Sequence, residues 1–299
     1  MRLSTFSIVA FDPETGDLGV AVQSKFLAVG AVVPYAKAGV GAIATQSYAN
    51  LLYGPQGLDL LAQGLSPQEV IDRLTSNDPE AHLRQVGIVD AQGRAAAFTG
   101  SGCFPWAGHR VGPNVAVQGN ILVGQETVDA MYETFLGAQG DLAERLVAAL
   151  AAGQEAGGDR RGQQSAALLV VREGGSYGGY TDRYIDLRVD DHPRPIEELA
   201  RLLRLWRVYF QPPRPEDILP LTEERVREIQ HLLRELGYYQ GEITGAYDEP
   251  TRQALRAFAG VENLEERLFE DARIDKTVLE FLREKHAQQG GTRPLGTSS

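Results

Sequence analysis

The chain has 299 residues, enough for one large buried core or two ordinary ones. Apolar residues make up 43 % and charged residues 23 %, an ordinary globular balance. The net charge of −11 argues against a broad face for nucleic acid or anionic lipid, since both need clustered Lys and Arg.

The one cysteine, Cys103, excludes an intramolecular disulfide and a cysteine-based metal site. The opening residues hold no apolar stretch of signal-peptide length. No run approaches the roughly 20 apolar residues of a membrane helix. The expectations are a cytoplasmic location, no nucleic-acid partner and no membrane.

From the amino terminus, residues 5–11 (TFSIVAF) and 18–23 (LGVAVQ) are rich in Val, Ile, Phe and Ala. Between them, Asp12-Pro13-Glu14-Thr15-Gly16-Asp17 is a turn by composition, so the segment predicts a β-hairpin. Further strands are predicted at 39–45, 85–90, 94–99, 114–120, 166–172 and 184–189. The pair around Ala91-Gln92-Gly93 reads as a second hairpin.

Helical patterns occupy 55–64, 66–76, 125–137 and 141–154. Ser66-Pro67-Gln68-Glu69 combines an N-cap, Pro at the first position and Glu at the third. The helices come in two consecutive pairs between sets of strands, which disfavours a doubly wound parallel sheet. The pattern predicts an α+β fold of antiparallel sheets with helices layered outside.

A helix is predicted from Pro193 to Tyr209, with Leu199, Leu202, Leu203 and Trp206 on one stripe. Gln211-Pro212-Pro213-Arg214-Pro215 is a stiff linker by composition. The expected division is residues 1–210, a linker at 211–220, a mostly helical unit at 221–287 and a disordered tail at 288–299.

Thr5 is the first candidate for chemistry. A threonine hydroxyl is a weak nucleophile until a base takes its proton. If Thr5 were the first residue, its own α-amine, with a pKa near 7.7–8.0, could be that base. A β-branched strand residue with no further role is the alternative reading. Lys37 lies 32 residues later, in PYAKAGVGA. A lysine beside a nucleophile lowers its proton affinity; an exposed lysine at a strand start is the plainer reading.

The run from Thr5 to Asn50 resembles the start of an uncharacterised family described as Ntn-hydrolase-like, for N-terminal nucleophile hydrolase. Further marks are YGPQGLDLL at 53–61, CFPWAGHRVG at 103–112, VQGNILVG at 117–124, GGDRRGQQSAALLVV at 157–171 and YIDLRVDDHP at 184–193. The resemblance covers about residues 4–210. It implies a four-layer αββα sandwich and hydrolysis of an amide by an N-terminal Thr, Ser or Cys.

By position, the resemblance makes Thr5 the nucleophile and Lys37 its electrostatic support. It places Ser24 and Lys25 as a polar pair under the nucleophile, and Gln46 and Ser47 near the oxyanion donor. Asn120 would supply a side-chain donor to the oxyanion. The resemblance implies no cofactor, a small amide or peptide as substrate, and a homo-oligomer, for which the apolar face on 196–209 is a candidate interface.

One departure stands out: Thr5 is not first. Three outcomes are open. The chain cuts itself before Thr5 or Ser4, translation starts at Leu3, or the amine is never exposed. Ser7, two residues along the same strand face, is a weaker nucleophile candidate.

Cys103 and His109 could form a catalytic pair, although core Cys and surface His are commoner roles. The acidic group Asp182, Asp186, Asp190, Asp191 with His192 reads mainly as a structural signature, not a metal site. GGDRRGQQS lacks the Lys-Ser/Thr ending of a phosphate loop.

Residues 226–267 resemble the peptidoglycan-binding repeat, through Val226, Ile229, Gln230, Leu233, Leu236, Gly237, Tyr238, Gly241, Gly245, Tyr247, Asp248, Thr251, Ala254, Leu255 and Phe258. Peptidoglycan is the partner this implies. A small helical domain with no sugar ligand is the alternative. For the whole chain, the alternative to an amidohydrolase is a non-catalytic binding or scaffold protein on an Ntn-type fold.

Overall fold

The structure, a computed structural model, describes residues 5–290. Ser4, the alternative start, and residues 291–299 of the expected tail lie outside the described residues. The chain forms two compact units, dividing between Leu203 and Arg204.

The first unit opens with β1 (Thr5–Phe11), β2 (Leu18–Ser24), β3 (Pro34–Lys37) and β4 (Gly41–Ser47). Two helices follow, α1 (Tyr53–Ala62) and α2 (Pro67–Ser76), then β5 (Arg84–Asp90), β6 (Ala95–Thr99), β7 (Gly108–Gly112) and β8 (Val115–Asn120). A second helix pair, α3 (Glu126–Gly137) and α4 (Leu142–Glu155), precedes β9 (Ser165–Val171), β10 (Arg183–Val189) and the start of α5 (Pro195–Phe210).

Local chemistry fixes these elements. Gly16, at φ 78°, closes the β1–β2 turn, where the Asp12 carboxylate accepts the Glu14 N–H at 3.0 Å. Ser66 and Glu69 form a reciprocal capping box at the start of α2, as Asp141 and Glu144 do for α4. β3 and β7 are short edge strands that the sequence pattern did not mark. β3 starts on a proline, which only an edge or a first position tolerates.

The strands form a six-stranded sheet, β10-β9-β2-β1-β8-β7, and a four-stranded sheet, β3-β4-β5-β6. Every neighbouring pair within them is antiparallel. α3 and α4 lie against the six-stranded sheet, α1 and α2 against the four-stranded sheet, and the two sheets pack on each other.

Strand alternation sorts the side chains between these layers. Ile43, Val86 and Ile88 pack with Tyr53, Val70 and Ile71 under α1 and α2. Val9, Val20, Val22, Ala42, Ala44, Val89 and Ala116 fill one end of the space between the sheets. The small residues among them let the sheets approach closely. The other end of that space is polar.

The second unit begins in the last turns of α5. It continues through β11 (Ile218–Pro220), α6 (Glu223–Glu235), α7 (Glu249–Glu262), β12 (Arg273–Asp275) and α8 (Lys276–Gly290). β11 and β12 pair antiparallel beside a core that includes Ile229, Leu233, Leu255, Phe258 and Val278. Asp248 caps α7 through the Thr251 N–H at 3.1 Å, and Gly237, at φ 87°, follows the end of α6.

Buried Gln230 accepts the Gly245 N–H at 3.0 Å and donates to Thr251 Oγ1 at 2.8 Å, pinning the intervening turn. The motif glutamine thus holds the fold. Buried Arg267 donates to the carbonyls of Arg207, Val208 and Gln211 and pairs with Asp275. Those bonds tie the end of α5 to the second unit. Ile196, Leu199 and Leu203, on the face suggested as an interface, are already buried within the chain.

Among the described residues, no helix is long and apolar enough to cross a membrane.

Candidate functional site

The hairpin register places four polar residues side by side at one end of the six-stranded sheet. Ser165 opposes Ser24, Ser24 opposes Thr5, and Thr5 opposes Asn120. Directly opposed residues share a sheet face, so the row looks into the space between the sheets. All four side chains are buried, and Thr5 Oγ1 donates to Ser24 Oγ at 3.2 Å.

Behind this row lies a network of three glutamines. Ser7 Oγ donates to Gln46 Oε1 at 2.6 Å and accepts from Gln118 Nε2 at 2.6 Å. Gln46 Nε2 bonds Gln85 Oε1 at 2.9 Å and the Thr5 carbonyl at 3.3 Å. Asn120 Nδ2 also donates to Gln85 Oε1, at 3.0 Å. Gln85 Nε2 reaches Gly119 O at 2.7 Å and Thr99 Oγ1 at 3.0 Å, and Thr99 Oγ1 lies 2.8 Å from His109 Nδ1. A buried amide left without partners costs about 1–3 kcal/mol, so the network holds the strand ends in one arrangement.

Gly87 makes room for it. A Cβ at that position would lie 1.9 Å from Gln118 Oε1. The Gln118 amide is held at Ser7, so Gly87→Ala is expected to destabilise the first unit by about 1–3 kcal/mol. Chemical denaturation measures this, and unchanged stability would contradict the packing described.

The row borders a cavity of about 190 Å³ lined by Ser47, Tyr48, Glu80, Leu83, Phe104 and Asn120, among others. Ser47, which ends β4, and Ile121, a further lining residue just after β8, have φ of 68° and 54°. A β-branched residue in the left-handed region is strained by about 1–3 kcal/mol, and such strain gathers at functional sites. Hydrogen bonds on both sides hold it: Ile121 N to Phe104 O and Arg160 N to Ile121 O, each 3.0 Å.

Arg84 supports the cavity wall. Its guanidinium donates to Asp78 at 2.8 Å, to Glu80 at 2.8 Å and to Tyr48 O at 2.6 Å. The Arg84 hydrogen bond holds the Asp78 carboxyl well below the usual carboxylate range, against the opposing effect of burial. Burial raises the Tyr53 phenol, and the Asp78 hydrogen bond raises it further.

Thr5, Ser24 and Asn120 are brought together in the row. Ser47 stands at the cavity beside Asn120. Gln46 holds the Thr5 carbonyl through its side chain. Lys25 donates its backbone N–H to Asp159 Oδ2 at 3.0 Å, and its Nζ bonds Gln163 O at 3.1 Å.

Lys37 lies away from the row. It is exposed and pairs with Gly41 at the start of β4, whereas Thr5 meets Gln46 near its end. Five residues of strand separate those positions, about 17 Å. β3 runs antiparallel to β4 and delivers Lys37 to the far turn, so sequence separation alone misleads. Among the described residues, no ionisable side chain hydrogen-bonds to Thr5.

Cys103 and His109 both line a larger groove of about 500 Å³, but each is engaged elsewhere. Cys103 Sγ donates to Arg84 O at 3.3 Å, and burial pushes its thiol up. Burial lowers His109, which favours the neutral imidazole bonded to Thr99. In the acidic group, Asp186 pairs with Arg183 and Arg188, and Asp182 accepts the Ala38 N–H. No group of three or more His, Cys, Asp or Glu among the described residues is arranged for a metal ion.

Sequence reasoning missed Gln85, Gln118 and Arg84. A signal existed for the glutamines: RQVGIVD and VAVQGN, like GAIATQS, each carry one glutamine near the strand end facing the site.

A helix-flanked pair of antiparallel sheets with a buried polar row defines the class of this unit. Residues 5–199 match the model described as "Family of unknown function (DUF1028)", and the chain belongs to that family. Residues 209–282 match the model described as "Putative peptidoglycan binding domain". The chain is similar to the crystal structure of protein SPO2555 from Silicibacter pomeroyi, also matched to DUF1028, at 33 % identity and a TM-score of 0.63. That similarity covers 68 % of this chain and 89 % of the other. No curated protein matches the sequence.

Proposed function

We propose that the first unit is an amidohydrolase of the N-terminal-nucleophile type, built on an αββα sandwich, acting on a small amide or peptide. Thr5 becomes the first residue once the four residues before it are removed. The observation that carries this reading is the Ser165–Ser24–Thr5–Asn120 row, with the Thr5 hydroxyl fixed on Ser24 beside a small cavity.

The freed α-amine of Thr5 takes the hydroxyl proton as Oγ1 attacks the substrate carbonyl carbon. Asn120 donates to the oxygen that gains charge. The tetrahedral intermediate collapses, the C–N bond breaks, and the ammonium returns the proton to the leaving amine. Water then hydrolyses the threonyl ester, the same amine serving as base. Lys37 has no part in this scheme. With no ionisable side chain hydrogen-bonded to Thr5 among the described residues, the scheme takes the terminal amine as its base.

Comparing turnover of small amides by the native protein and Thr5→Ala tests the reading. Equal rates would contradict it.

A second reading, a non-catalytic binding unit, is favoured by the complete burial of Thr5. For the second unit, the match over residues 209–282 supports peptidoglycan as the partner. Homo-oligomerisation remains part of the proposal for the chain as a whole.

A further inference from the structure

The lining of the small cavity beside Asn120 is chemically uneven. Tyr48, Leu83, Phe104 and Ile121 give it apolar walls, and Glu80 is the one carboxylate among its lining residues. Its volume of about 190 Å³ is below the roughly 300–1,000 Å³ of drug-sized sites, so it suits a single side chain.

Glu80 is held in place although its side chain is 55 % exposed. Its backbone N–H donates to Asp78 Oδ1 at 2.9 Å, and its Oε2 accepts from Arg84 at 2.8 Å. The Arg84 guanidinium also stands over the Tyr48 ring, 5.8 Å from the centroid. One buried arginine thus fixes both the carboxylate and an aromatic wall. Asp78 shares that guanidinium, so two carboxylates draw on one cation. Among the described residues, Glu80 Oε1 accepts no hydrogen bond and is left for another donor. A fixed carboxylate beside aromatic rings suits an ammonium group, through a charge-assisted hydrogen bond and attraction to the ring faces.

We propose, on the reading of Thr5 as nucleophile, that this cavity takes an aminoacyl group with a free α-ammonium. The substrate class is then the amide of an apolar amino acid, and Glu80 is the residue that selects it. The side chain packs on Leu83, Phe104 and Ile121, and Glu80 Oε1 accepts from the ammonium. The carbonyl carbon bonds to Thr5 Oγ1, the C–N bond breaks, and the leaving amine takes the hydroxyl proton. Water then releases the free amino acid from the ester.

Two measurements, on the full-length native protein and on Glu80→Gln, separate the pocket from the chemistry. Gln keeps an acceptor for Arg84 at a half-exposed position, so the variant should fold. The first measurement compares hydrolysis of leucinamide with that of 4-methylpentanamide, the same amide without its amine. kcat/KM is expected to favour leucinamide by about tenfold or more, through KM, and Glu80→Gln to remove most of that preference. The second titrates 3-methylbutylamine and 3-methylbutan-1-ol, which hold no amide, and follows the ring signals of ¹³C-labelled Tyr48 and Phe104. Saturable shifts are expected with the amine, at about tenfold lower affinity in Glu80→Gln and with the alcohol. Amine binding with both amides inert would contradict catalysis by Thr5 and leave the ammonium site standing. Equal kcat/KM for the two amides, equal affinity for amine and alcohol, or equal amine affinity in Glu80→Gln would overturn the assignment.

Discussion

Thr5→Ala is expected to reduce amide hydrolysis at least about a thousandfold, because the nucleophile and its base act as one unit. The substitution removes a hydroxyl and a methyl group from a strand that keeps its neighbours on both sides. Its backbone carbonyl still accepts from Gln46, and Ser24 keeps its place opposite. The fold should therefore persist, and a thermal melt within a few degrees of the native protein is the control. Thr5→Ser should retain measurable turnover, since it restores a hydroxyl at the same atom. Asn120→Ala should fall between, since removing one oxyanion donor costs about 10²–10³ in rate. If Thr5→Ala matched the native protein, the row of hydroxyls would be architecture alone.

Arg84→Met is expected to destabilise the first unit by about 3–5 kcal/mol, the usual cost of breaking a buried ion pair by removing one member. Both side chains of the Arg84–Asp78 pair are only 7 % exposed. The variant leaves Asp78 with Asn50 and Tyr53 as partners but without a positive charge. It also frees the Tyr48 carbonyl and loosens the cavity wall.

The pH dependence follows from the lowered Asp78 carboxyl. A folded-state value below the unfolded one gives stability that is present above the unfolded value, about 3.9, and lost as pH falls through the folded value. The native protein should therefore lose this contribution progressively below about pH 4. The gap between native and Arg84→Met should be largest at pH 7 and narrower at pH 3. Urea denaturation at the two pH values measures it. A gap independent of pH would show that the ion pair is not its source.

Much of the fold was legible because local chemistry determines it. The β1–β2 hairpin, the capping box at Ser66 and the paired helices were all written in short segments. The edge strands β3 and β7 were not, because an edge strand needs neither an apolar run nor a full alternation. The candidate site was only half legible. Thr5, Ser24 and Asn120 sit at strand ends, so antiparallel pairing alone brings them together. Lys37 lies away from them for the same reason that they meet: register, not separation along the chain, decides which end of a strand a residue reaches.

The glutamine layer was hidden in another way. Each glutamine alone looks like a polar residue at a strand end; only the packing of two sheets makes them one network. In the second unit, Gln230, Asp248 and Thr251 were legible as a motif and turn out to hold a turn and a helix cap.

The most direct measurement is the intact mass and amino-terminal sequence of the purified native protein. The amidohydrolase account requires a chain that begins at Thr5, with its amine free beside Oγ1. A protein that keeps the residues before Thr5 in every preparation would contradict it, and the polar row would then belong to a binding unit.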